Sequence, residues 1–161
     1  MKLKLCINGE VLWNSVSGDD LPGGVDYAEV AGWWREAAIT VLDLACVEYD
    51  VSHPGLRAWN GENTHTGQCG GLMWWGKPTT DEHEAIERAS DAGDRAVCEE
   101  ALRCYADDIE HWASAVSEAL AEGADGVDAE LAHARESLEW AKGAHTLLRK
   151  ELRSVKAVSS D

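Results

Sequence analysis

Phenylalanine is absent from these 161 residues, and cations are scarce: 14 Lys and Arg stand against 30 Asp and Glu, a formal net charge of −16. A field of that sign repels nucleic acid and anionic lipid, so direct binding to either is excluded. No uninterrupted run of 18 apolar residues occurs, which excludes a membrane-spanning helix. The opening stretch MKLKLCINGEVLW is broken by Asn8, Gly9 and Glu10, which argues against a secretory signal. The five cysteines show no CxxC spacing and no even framework, so they read as reduced thiols in a cytoplasm, a host's if the chain is viral. Also missing are GxSxG, the P-loop, GxGxxG, HExxH and the kinase signatures. The expectation is therefore a protein without cofactor or metal, and not an enzyme.

What remains suffices for a core: 45% of the residues are hydrophobic, and eight Trp and three Tyr carry the aromatic load. The chain is of single-domain size. Its pattern implies an α+β fold, mostly α: residues 1–80 form a β-hairpin, a central helix and a Gly-rich loop, and residues 81–161 form a long antiparallel helical hairpin.

KLKLCINGEVLWNSV alternates on both sides of Asn8-Gly9, the favoured pair for a two-residue type I′ turn. That turn sets Cys6 opposite Val11 and Leu5 opposite Leu12. A lone hairpin is marginal, so it is expected to pack on a helix. Residues 26–49 read as that helix, with Asp26 as N-cap and Glu29 three residues on. Its apolar residues spread around most of the circumference, which predicts a central, buried element.

Residues 51–80 contain six glycines and two prolines and read as loop, apart from GLMWW, a short strand expected to join the hairpin. The helix over 81–121 starts from Thr79 or Thr80 with Glu82 placed for a capping box. Gly93 is expected to bend it. Its seam runs Leu102, Tyr105, Ile109, Trp112, Val116, Ala119. The last helix, 128–157, carries a matching seam through Leu131, Ala134, Leu138, Ala141, His145 and Leu148. Two such seams joined by a short turn imply the helical hairpin.

The charge is concentrated. Residues 81–139 hold 18 acids and four bases, and from Cys104 to Ala134 eight acids meet no Lys or Arg. Three acid–arginine pairs at i,i+4 (Glu84–Arg88, Asp91–Arg95, Glu99–Arg103) suit an ordinary exposed helix, each adding about 0.2–0.5 kcal/mol. Beyond Arg103 the like charge is uncompensated. The long helix itself, 81–121, holds 12 acids and three Arg; at 1.5 Å rise per residue that is one net charge per ~7 Å, about a quarter of the density of duplex DNA at one per ~1.7 Å, so nucleic-acid mimicry is permitted and not demanded.

Three functional classes follow. The first is an acidic binding protein whose Glu100, Asp107, Asp108, Glu110, Glu118 and Glu122 occupy a basic surface of a protein partner. The partner would be a nucleic-acid-binding protein if the chain is a competitive inhibitor of the phage type, directed against host or defence proteins. The second is a small-molecule binder or small enzyme using the 51–80 loop, with Arg57, Trp59, His65, Cys69, Trp74 and Trp75 as ligand contacts. The third is an oligomeric structural subunit that self-associates through Trp140 and Leu147, which with His133 repeat every seven residues. A metal at His65 and Cys69 is not expected, because zinc takes four ligands and only this pair is locally spaced. The plain alternatives are a solvated helix face for the acids, core plugs for the tryptophans and internal packing for the last stripe.

Overall fold

A computed structural model describes residues 4–7, 10–14, 22–53, 55–61, 65–125 and 128–158. The order is β1 (Lys4–Ile7), β2 (Glu10–Asn14), a 3-10 turn (Pro22–Gly24), α1 (Tyr27–Leu44), β3 (Tyr49–Asp50), β4 (Arg57–Trp59), β5 (Thr66–Cys69), β6 (Leu72–Trp75), α2 (Thr80–Ala121) and α3 (Ala129–Val158). The fold is broadly α+β and mostly helical, with a small mixed four-stranded sheet. The chain divides into two compact units: residues 27–97 form one, and residues 1–26 with 98–161 form the other.

In the 27–97 unit, α1 begins directly after Asp26 as expected but ends at Leu44, five residues short of the expected end. The cause is a left-handed residue. Cys46 has φ 56°, its N–H donates to the Asp43 carbonyl (3.1 Å), and Val47 N–H reaches back to Leu42 O (3.0 Å). That is a Schellman cap, with the apolar Leu42–Val47 pair that accompanies it. Nor is α1 buried all round. Val30, Ala38 and Leu42 are buried on one side, while Leu44 is 82% exposed.

The 51–80 segment, expected to be loop apart from GLMWW, contributes three strands to a sheet of order β3-β4-β6-β5. β5 and β6 are antiparallel around Gly70-Gly71, β4 and β6 are parallel, and β3 and β4 antiparallel. β6, the strand in GLMWW, pairs with β4 and β5 rather than with the N-terminal hairpin, which forms its own two-stranded ladder. One face of the sheet packs into the core: Ala58 and Leu72 join Ala38, Leu42, Val47, Leu56, Ala85, Ile86 and Ala89, flanked by Trp34, Trp74, Tyr49 and Cys69.

The glycines serve this packing. Gly67 lies opposite Trp74 in register, and a side chain on Gly67 would collide with the Trp74 ring. Gly71 and Gly93 leave space for the Trp34 indole in the same way. Gly93 does not break α2, which is continuous from Thr80 to Ala121. α2 starts from the expected capping box: Thr79 N–H donates to Glu82 Oε2 (2.7 Å), and Glu82 N–H to Thr79 Oγ1 (3.3 Å).

In the other unit, β1 pairs with β2 in the expected register only next to the turn: Cys6 faces Val11, but Leu5 faces Trp13 rather than Leu12. A β-bulge between Leu5 and Cys6 puts one extra residue on β2. The Asn8-Gly9 turn lies outside the described residues. In α3, Leu131, Ala134, Ala141 and Leu148 are buried as the seam requires, and Cys98, Ala101, Cys104 and Tyr105 are buried on α2. Tyr105 meets Trp140 edge-on (5.5 Å between ring centroids) and Trp112 meets His133 (5.4 Å). Numbers rise along α2 as they fall along α3, so the helices run in opposite directions over this stretch. Asp128 caps α3, accepting from Glu130 N–H (2.9 Å) and Leu131 N–H (3.2 Å).

Candidate functional site

Two surfaces carry the residues singled out from the sequence. The first is the outward face of α2 beyond Val97. Arg103 holds two of its carboxylates, with Nε on Glu100 Oε2 at 2.7 Å and Nη1 on Asp107 Oδ2 at 3.4 Å. Glu100, and less strongly Asp107, hold the guanidinium above its ordinary pKa. Arg103 had been expected to serve Glu99. The Arg88 side chain likewise bonds the Glu84 backbone carbonyl (3.3 Å). Asp108 accepts the Gly23 N–H at 2.9 Å, with Gly23 at φ 59°, where a side chain would come into contact with Cys104. Asp108 is thus spent on fixing the 3-10 turn.

Further along, Glu110, Glu118 and Glu122 are all exposed. Glu118 accepts from the Ser114 hydroxyl (2.9 Å), and among the described residues no ion pair engages any of the three. The charged surface is therefore narrower than the sequence implied. It is centred about two to five turns beyond Arg103, where no Lys or Arg follows on α2.

The second surface is the outer face of the sheet. Side chains alternate along a strand, so residues paired across the ladder share a face. The register therefore lines up Asp50, Arg57, Met73 and Gln68 in one row across four strands, with Trp59, Trp75 and Thr66 in the next. The Arg57 guanidinium lies over the Trp75 ring at 4.4 Å, and its Nε is buried without an acceptor. Asp50 is fixed by Ser52, whose N–H (2.9 Å) and hydroxyl (2.6 Å) both donate to Oδ1. Those bonds, with Arg57 nearby, hold its carboxyl below the usual carboxylate range. Trp59 is 45% and Met73 43% exposed.

The six residues grouped from the 51–80 segment do not converge. Arg57, Trp59 and Trp75 share the outer face, whereas Trp74 and Cys69 pack against the core. His65 is exposed before β5, and its carbonyl accepts from Gly76 N–H. Trp74 meets His83 edge-on at 5.6 Å, and His83 lies 3.4 Å from Glu87. The cleft lined by Val47, Trp59, Trp74, Pro78 and Ile86 encloses about 10 Å³, room for about one water. A ligand here would lie on the face, not in a cavity. Asp50, Met73 and Thr66 escaped the sequence reading, whereas Gln68 stands among the loop's polar donors and acceptors in it. The signal for them was Gly70-Gly71 between two short alternating runs, a hairpin pattern.

Trp140 is 53% and Leu147 42% exposed, so the seven-residue stripe of α3 is not fully packed away. No disulfide joins Cys46, Cys69, Cys98 or Cys104. Among the described residues, no three His, Cys, Asp or Glu side chains gather as a metal site, and no helix is long and apolar enough to cross a membrane. No protein-family model, curated protein or solved structure matches the chain.

Proposed function

We propose that the chain is a non-enzymatic binding protein whose acidic helical surface occupies a basic surface of a protein partner. Glu110, Glu118 and Glu122 form its centre, and Glu100, Asp107 and Asp108 its flank. The observation that carries this reading is the run of eight carboxylates from Cys104 to Ala134 without a Lys or Arg, together with the exposure of its three central members. Uncompensated like charge opposes the compact state, and contact with a cationic partner offsets that cost. If the partner's surface normally holds nucleic acid, the protein is a competitive blocker, acting in a cytoplasm, a host's if the chain is viral. The same reading takes the helical hairpin to project the charge.

The test compares the wild-type chain with Glu110→Lys/Glu118→Lys/Glu122→Lys as bait in cytoplasmic extract at low and high salt. Basic proteins captured only by the wild type, and released by salt, are expected. The same set on both baits ends this reading.

Self-association is the second reading, favoured by the exposure of Trp140 and Leu147. Light scattering of the wild type and of Trp140→Ala/Leu147→Ala decides it: a concentration-dependent mass rise lost in the variant supports it, and a monomer at every concentration removes it.

A further inference from the structure

The sheet's outer face is organised beyond what folding requires. Its two rows combine an exposed indole, a guanidinium and a carboxylate of opposite sign directly paired in register, and an exposed carboxamide and hydroxyl at the β5 edge. Asp50 is pinned by Ser52, and Arg57 by stacking on Trp75. Groups fixed in advance lose little freedom when a ligand arrives. The polar row spans four strands about 4.8 Å apart, roughly 14 Å in all.

Charge selects the occupant. The chain carries −16 overall, which disfavours a polyanion. Asp50 and Arg57 cancel each other, so this face suits a neutral ligand needing donors and acceptors together. A saccharide has that chemistry. Its hydroxyls both donate and accept, matching Asp50, Arg57 and Gln68, whose Nε2 donates one N–H to the Gly70 carbonyl (3.2 Å) and keeps the other N–H and the amide oxygen for a ligand, and the apolar C–H face of a pyranose ring covers an indole while leaving its own hydroxyls wet. Arg57 already covers Trp75, so Trp59 is the indole free to stack. The small cleft beside Trp59 does not constrain the ligand, because a sugar chain can lie flat along the rows.

We infer that this face, through Trp59 with Asp50, Arg57 and Gln68, is a binding platform for an uncharged oligosaccharide. The inference is independent of the acidic-surface reading, which concerns other residues.

The test follows the indole N–H signals of the ¹⁵N-labelled full chain by NMR during titration with cellohexaose, chitohexaose, maltohexaose and xylohexaose. Saturable shifts of the Trp59 signal, assigned by its loss in Trp59→Phe, are expected with at least one sugar. Trp59→Ala is expected to weaken that binding at least tenfold, and Gln68→Ala a few-fold. The charge-reversed Glu110→Lys/Glu118→Lys/Glu122→Lys chain is expected to bind the sugar as the wild type does, which separates the two readings. Trp59 is exposed, so its variants should fold, and circular dichroism checks this. No shift with any of the four sugars at 10-millimolar order overturns the proposal. So does a sugar response unchanged in Trp59→Ala, or a dimer in sedimentation that Trp59→Ala dissolves, since a second copy would then cover the face.

Discussion

Trp34 on α1 donates its indole N–H to Asp94 of α2 across 3.1 Å, with its ring seated on Gly71 and Gly93. One tryptophan thereby fixes a helix–helix approach, a tight turn and a carboxylate. Partial desolvation raises the Asp94 carboxyl above the ordinary carboxylate range, the Trp34 bond pulls it part of the way back, and nearby Asp91 adds to the rise.

This raised value has a defined sign. The folded state binds the Asp94 proton more tightly than the unfolded state does. Ionisation therefore costs stability above the folded pKa, and the cost fades as pH falls below the unfolded one. Asp94→Asn keeps an acceptor for Trp34 without the charge. It is expected to melt above the wild type at pH 7, with the gap closing as pH falls through the carboxylate range. Thermal melts across pH 3–7 check this, and a gap that widens in acid contradicts it.

Gly93→Ala would gain about 1 kcal/mol of helix propensity on an open helix surface. Here the new methyl meets the Trp34 indole, so a net loss of about 1–3 kcal/mol is expected from overpacking. Denaturant unfolding measures it, and Trp34→Ala in the same background is expected to abolish the penalty.

Cys46→Gly addresses the left-handed cap of α1. Removing the side chain relieves about 1–2 kcal/mol of backbone strain, and greater freedom of the unfolded chain takes back about 0.5–1 kcal/mol. The expected net gain is about 0.5–1 kcal/mol in denaturant titration, with no change in helix content.

How much of this was legible is clearest at the glycines. The helices could be read because period and caps act locally: the Thr79–Glu82 box and the Leu131–Leu148 seam need only their own neighbours. Of the sheet, only the strand in GLMWW could. β3 and β4 have two and three residues, too few for alternation to register, and the Gly-rich composition that suggested a loop instead makes room for Trp34 and Trp74, contacts between residues far apart in sequence. The acidic surface was legible as composition. Its trimming by Arg103 and by Gly23 was not, since the first depends on rotamer choice and the second on a contact 85 residues away.

The remaining acids make their own prediction. Glu110→Gln/Glu118→Gln/Glu122→Gln removes like charge without changing shape. A higher melting temperature than the wild type is expected in 10 mM salt, and near-equality at 1 M, where the Debye length falls to about 3 Å. Equal melting temperatures at low salt would mean that the surface costs nothing to keep.

α2 belongs to both compact units, with the division falling between Val97 and Cys98, both buried in mid-helix. A cut there would create two new helix ends, each with four unanswered backbone groups. The halves are thus not exchangeable cassettes: recombination at that boundary, or expression of either half alone, would sever a backbone ladder they hold in common.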